Sequence, residues 1–347
     1  MADCSQARAA NVMRAVRLTA TSGPADLRVE HVPDPTPKAG EVLVKLTHAA
    51  LNRRDVFITK GMYPGIKLPC ILGADGVGTV AALGLGVAST TVGTRVVIDP
   101  MLGWGPDERV WQTSANVLGM PADGTFAEYV VVPAINVHPA PANLSDAEAA
   151  AIPLAGTTAY RAVVTRGACT REDVVFIPGV GSGVQTFALT IAHHLGARTI
   201  VTSSSAEKLE RARALGADVA INYKTSASWQ KEVRAASDGG PSLVIDSVGG
   251  ATFAACLDIA RYAARVVTYG GTNGDATIRP YSIFWKQLDV LGSSMGSPRD
   301  FREMLALYAS GLKPAIDTVE PLEDIAHAAL RVDAGTQFGK VVLAIVP

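Results

Sequence analysis

The sequence predicts a two-domain α/β protein, with a doubly wound parallel sheet set against a barrel-like β domain. Three observations predict it. Residues 172–223 run strand, glycine-rich turn, helix, strand, helix, strand. Over 144–310 strands and helices keep alternating, the pattern of a parallel sheet covered on both faces. Residues 12–143 instead carry short β-like runs punctuated by Gly and Pro, and 311–347 return to that texture around one helix.

In chain order, β-like runs fall at 14–19, 27–31 and 43–46, with a proline-rich loop at 33–37. Short strands continue through ILGADGVGTV, VGTRVVIDP and GTFAEYVVVPAINVHPAP. The texture changes near 143, where DAEAAAIPLAGTTAYRAV is Ala-rich and helical. Val174-Val175-Phe176-Ile177, bounded by Pro178-Gly179, reads as a strand buried on both faces. Val184, Phe187, Ala188, Ile191, Ala192 and Leu195 then recur on one face of a helix, which Gly196 stops. Thr199-Ile200-Val201 is the next strand, and the unit spans about 30 residues, the length of a right-handed βαβ crossover. Further strands are expected at 243–246, 265–269 and 288–291, with a helix over 251–262. The domains are therefore 12–143 with 311–347, and 144–310, after a loose leader at 1–11.

Gly179, Gly181 and Gly183, with Ser182 and Val184, sit between a strand and a helix. Such a turn brings backbone close to a diphosphate, whose charge then rests on the free N–H groups and positive dipole of the helix start. A tight turn without a ligand is the alternative. The strand before, the helix after and the second strand at the right distance tell against it. An NAD site wants Asp or Glu at the end of the second strand. Here stand Ser203, Ser204, Ser205 and then Lys208, which suit a 2′-phosphate, so NADPH is expected over NADH. Ser204 with Glu207 also reads as a capping box, which is compatible with Ser203 facing the phosphate.

The 347 residues are 48% hydrophobic and 18% charged, with net charge −1. Two globular domains fit, and a polyanion footprint does not, so no nucleic acid partner is expected. No apolar run reaches the roughly 18 residues of a membrane span, and the N-terminus lacks a secretory apolar core. Cys4, Cys70, Cys169 and Cys256 lie far apart with no CxxC. A reducing, cytoplasmic compartment and no structural zinc are expected.

Several stretches resemble the medium-chain dehydrogenase/reductase superfamily over nearly the whole chain. ALNRRD resembles the Asn-x-x-Asp motif of its zinc-independent quinone oxidoreductase branch, and ILGADGVGTV its G-x-[DE]-x-x-G turn. PLAGTTAY, EKLERARALGADVAINY and QFGKVVL resemble further segments. The resemblance implies a GroES-like β-barrel catalytic domain, a Rossmann domain, hydride transfer in the cleft between them, and a homodimer through the Rossmann sheet edge. Where zinc members carry ligands, this chain has Asn52, Ala74 and Leu154, and the stretch 101–119 holds no cysteine. The resemblance therefore implies no zinc. Gln185 departs from the family's Gly-Val-Gly ending and puts the helix–strand packing there in question.

Without a Lewis acid, placement and fixed donors must stabilise negative charge on a carbonyl oxygen. Asn52 and Tyr63, in segments that resemble the cleft wall of quinone reductases, are the candidate donors. A backbone-capping Asn52 and a surface Tyr63 are the plain alternatives. The resemblance also places Thr158 by the nicotinamide, Tyr223 by the adenosine, and Val248, Gly270 and Thr272 at strand ends along the nicotinamide ribose. Lys340 would lie near the cofactor or be a solvated surface charge. Phe284 and Trp285 would shape the cleft or pack at a dimer contact beside the sixth strand. The expected activity is reduction of a quinone or α,β-unsaturated carbonyl by NADPH. An alcohol/aldehyde dehydrogenase, or a non-catalytic NADPH-binding protein, is the alternative.

Overall fold

The computed structural model describes residues 12–345, so the leader expected at 1–11 lies outside the described residues. Six parallel strands form the nucleotide-type sheet: β1 (Val174–Ile177), β2 (Arg198–Ser203), β3 (Val219–Asn222), β4 (Leu243–Asp246), β5 (Arg265–Thr268) and β6 (Asp289–Gly292). Their spatial order is β3-β2-β1-β4-β5-β6. The order reverses between β1 and β4, and a crevice opens at that switch point. Helix α1 (Gly183–His194) and helix α2 (Ala206–Ala214) provide the first two crossovers.

β1 shows why its sequence is apolar without alternation. Val175 and Ile177 enter one core with Phe187 and Ala188 of α1, whereas Phe176 enters the core on the opposite face with Ile200, Val233 and Val244. Both faces of the strand are covered, so every position takes an apolar side chain. Gly196 ends α1 at φ +81°, a conformation that disfavours side chains with a Cβ.

The β domain is organised around the strand Glu41–Ala50, which pairs antiparallel with Asp75–Leu83, Tyr129–Pro133 and Lys340–Ala344. Ile316–Pro321 lies parallel beside Lys340–Ala344, so the C-terminal strands are built into the N-terminal sheet. Val42, Val44, Leu46, Val341 and Leu343 share its core. The register has a consequence for the site. Ala50 faces Asp75 on one side and Val342 on the other, so Asp75, Leu51–Asn52 and Lys340 meet at one end of three neighbouring strands. Among the described residues, no helix is long and apolar enough to cross a membrane.

Candidate active site

A cleft of about 1120 Å3 lies between the two sheets. The expected donors and cofactor contacts line it, from Asn52, Tyr63 and Lys340 of the β domain, through Thr158, to Gly179, Gly181, Ser182, Gly183, Val184, Ser203, Ser204, Lys208, Tyr223, Val248, Gly270 and Thr272 around the parallel sheet.

The glycine turn leaves no room for side chains of its own, because neighbouring side chains press on it. At Gly183 a Cβ would fall 2.8 Å from Cδ of Lys340. The amides of Gly183 and Val184 start α1 ahead of any i−4 carbonyl and take no acceptor among the described residues. Gln185 does not disturb the turn. It is buried, its Oε1 accepts from the Ser182 hydroxyl at 2.9 Å, and its Nε2 donates to Pro178 O at 2.6 Å. The family's packing glycine is replaced by a side chain that ties both ends of the turn together.

At the end of β2 one expectation is corrected. Ser205, not Ser204, caps α2, its hydroxyl accepting from Lys208 N at 3.2 Å. β2 runs to Ser203, whose own hydroxyl accepts from Ser205 N at 3.3 Å, so the helix begins one residue later than the capping box implied. Lys208 lays its stem beside Gly181 and donates to Gly335 O at 2.6 Å, and burial holds its ammonium pKa below the ordinary lysine value. Asp246 closes β4 by accepting the N–H groups of Val248 and Gly249 at 3.1 and 3.2 Å, which sets the turn that carries Val248.

At the other side lies a network the sequence did not foreshadow. Lys340, 2% exposed, donates to Leu51 O at 2.7 Å, Asn52 Oδ1 at 2.7 Å and Asp75 Oδ2 at 2.8 Å. Asn52 Nδ2 donates to Asp75 Oδ2 at 2.9 Å, and Asp75 Oδ1 accepts from Leu154 N at 2.8 Å. Lys340 is therefore not a solvated surface charge. Asn52 does precede the helix Arg53–Thr59, but its side chain makes no capping hydrogen bond. Its amide orientation is dictated by chemistry, because an ammonium can only donate and a carboxylate can only accept. One Nδ2–H is left uncommitted on a residue that lines the cleft. Asp55 fixes the same residue by accepting Asn52 N at 2.8 Å, and burial pushes its carboxyl up to about 6.

Around this network the wall is apolar. Ala74 and Leu154 sit in a buried cluster with Met101, Trp104, Val117 and Met295. Tyr63 is half-buried, lies 5.1 Å from the Arg54 guanidinium, and its hydroxyl makes no hydrogen bond among the described residues. Arg54, buried beneath it, donates to Leu118 O at 2.8 Å. Thr158 spends its hydroxyl proton on Leu154 O at 2.7 Å and is left as an acceptor. Phe284 and Trp285 do not line the cleft. They are exposed near β6, stacked with or edge-on to Tyr281, so the cleft-shaping role is withdrawn. Arg54, Asp75, Trp111 and Met295 were missed. The RRD run at 53–55 was the only local hint, and it pointed to no contact.

Residues 38–142 match the family described as alcohol dehydrogenase GroES-like domain, and residues 183–310 match the family described as zinc-binding dehydrogenase. The chain is 34% identical over 340 residues to the zinc-type alcohol dehydrogenase-like protein YogA of Leptosphaeria maculans, covering 92% of this chain and 94% of that one. A crystal structure described as an NAD-dependent alcohol dehydrogenase superposes with TM-score 0.91 at 40% identity, covering 96% of this chain and all of that one. The crotonyl-CoA carboxylase/reductase AntE in complex with NADP superposes with TM-score 0.86 at 25% identity, over 96% of this chain and 94% of that one.

Proposed function

The chain belongs to the medium-chain dehydrogenase/reductase superfamily and is an oxidoreductase, and on that premise we propose that it reduces quinones or α,β-unsaturated carbonyls with NADPH and without zinc. One observation carries the reading. The positions where zinc members hold the metal present an amide and two apolar side chains, Asn52, Ala74 and Leu154, while both oxygens of Asp75 are already taken by Lys340, Asn52 and the Leu154 amide. Zinc asks for three or four N, S or O ligands. Among the described residues no three His, Cys, Asp or Glu side chains come together for one. The match to the family described as zinc-binding dehydrogenase covers 183–310, which contains none of these positions.

NADPH, when bound, supplies a hydride to the conjugated carbonyl. The chain's own residues do the rest. The glycine turn and the α1 start receive the diphosphate. The free Nδ2–H of Asn52 donates to the carbonyl oxygen as charge develops there, and the Tyr63 hydroxyl is a second donor. Lys208 lines the cleft with its stem beside Gly181, which suits a cofactor with a third phosphate. A steady-state assay with NADPH and a panel of 1,4-quinones, enones, crotonyl thioester and simple alcohols, with metal analysis of the same sample, tests the reading. Turnover of a conjugated carbonyl by metal-free enzyme is expected. Alcohol oxidation with stoichiometric zinc, or cofactor binding with no turnover at all, would replace it.

The cofactor preference has its own test. Ser203→Asp sets a carboxylate where the 2′-phosphate would lie and is expected to shift the NADPH:NADH affinity ratio at least about tenfold toward NADH. Binding titrations with both cofactors check this, and an unmoved ratio would remove Ser203 from the phosphate site.

A small-molecule substrate, a cytoplasmic location and a homodimer complete the proposal. Cys70, Cys169 and Cys256 are free thiols, which suits a reducing compartment. β6 lies at the sheet edge with Val290 39% exposed, next to the exposed Tyr281, Phe284 and Trp285. A second copy pairing edge to edge would cover both the open strand and the aromatic cluster. Sedimentation equilibrium is expected to show a dimer that Val290→Lys converts to monomer.

A further inference from the structure

Residues 103–112 form a loop at the apolar end of the cleft, and its construction is unusually firm for an exposed segment. Arg161, 3% exposed, pairs with the buried Asp300 at 2.5 Å, lies over the Trp104 ring at 4.9 Å, and donates to the carbonyls of Glu108 and Arg109 at 3.2 and 2.7 Å. Trp104 Nε1 donates to Asp107 O at 2.8 Å, Gln112 N to Trp104 O at 2.7 Å, and Gln112 Nε2 to Gly103 O at 2.9 Å. What this scaffold presents to the cleft is Trp111. Its ring is 38% exposed, 6.4 Å from Trp104, and its indole N–H has no partner among the described residues.

A large aromatic face left open in a cleft, on a loop held at both carbonyls by a buried arginine, is a surface awaiting a partner. Trp104 beside it shares a buried cluster with Val117 and Met295, which line the same cleft as Met62 and Tyr63. The cations of this side are committed. Arg54 donates to Leu118 O, Lys60 pairs with Asp333, and Arg53 donates to the carbonyls of Val332 and Asp333. A polyanionic carrier such as a coenzyme A thioester finds no free cation there, whereas a flat uncharged ring finds π-faces and a polarisable thioether.

We infer that Trp111 is a specificity-determining residue that stacks on a planar, uncharged ring conjugated to the reacting carbonyl, so that the substrate class is an aryl enone or ring quinone. This rests on the conjugated-carbonyl reading above and narrows it.

The test uses two enones that differ only in phenyl for methyl, 4-phenyl-3-buten-2-one and 3-penten-2-one. In the wild-type enzyme kcat/KM is expected to favour the phenyl compound. Trp111→Ala is expected to cut that preference about tenfold and Trp111→Phe to restore most of it, since an aromatic pair is worth up to about that factor. In parallel, binding of the phenyl enone to enzyme saturated with NADP+ is measured calorimetrically, with no turnover involved, and Trp111→Ala is expected to weaken it by a similar factor. A preference and an affinity that both stay within twofold would overturn the inference. If no enone is reduced but the phenyl compound still binds in a Trp111-dependent way, the ring site stands and the assigned reaction falls.

Discussion

Replacing Lys340 by Met is expected to destabilise the protein by about 3–5 kcal/mol, because it strands the Asp75 carboxylate at a position with no solvent exposure. The ammonium makes three hydrogen bonds there, and among the described residues no other cation is bonded to Asp75. Adding Asp75→Asn to the same chain is expected to recover most of the loss, since a neutral amide needs no buried counter-charge. Denaturant unfolding of the wild type, both single variants and the double variant closes the cycle. A Lys340→Met cost below about 1 kcal/mol would mean that the pair is solvated in solution and the strand-end register is looser than described.

That pair also marks where reading the sequence stops. The glycine turn, the two faces of β1 and the change of texture near 143 are local patterns, and local patterns carried the fold and the diphosphate turn, whereas Asn52, Tyr63, Thr158, Tyr223, Val248, Gly270, Thr272 and Lys340 came from the family resemblance. The partners of Lys340 are not local. Asp75 is 265 residues away, and only the pairing of Ala50 with both Asp75 and Val342 brings the three together. Nothing in a G-A-D tripeptide announces a buried ion pair. Trp111 was equally opaque, because the loop that holds it depends on Arg161 and Asp300, far along the chain. Gln185 erred in the opposite direction. A rule about close helix–strand packing flagged it as a defect, whereas its amide has just the donor and acceptor needed to bridge Pro178 and Ser182. At α2 the misplaced cap came from two adjacent serines with equal capping propensity, and strand pairing of Ser203 with Asn222 chose between them.

The same buried pair determines which atom of Asn52 reaches the substrate, and this leads to the sharper chemical expectation. Lys340 holds Oδ1 and Asp75 holds one Nδ2–H, so the group left for the cleft is a donor. Asn52→Asp keeps size and shape and still accepts from Lys340, but the oxygen that replaces Nδ2 repels a developing oxyanion and also lies against Asp75 Oδ2, so denaturant unfolding measured alongside separates a loss of fold from a loss of rate. Loss of one such preorganised donor costs about 10²–10³ in kcat for other acyl and carbonyl chemistries, and a fall of that order in the single-turnover rate of cofactor oxidation is expected. NADPH affinity should change only a few-fold, because the glycine turn and the Ser203–Lys208 segment are untouched. A variant that transfers hydride within threefold of the wild type would show that Asn52 serves the fold alone. Tyr63→Phe, which removes the other donor without disturbing the ring over Arg54, would then be the remaining site for charge stabilisation.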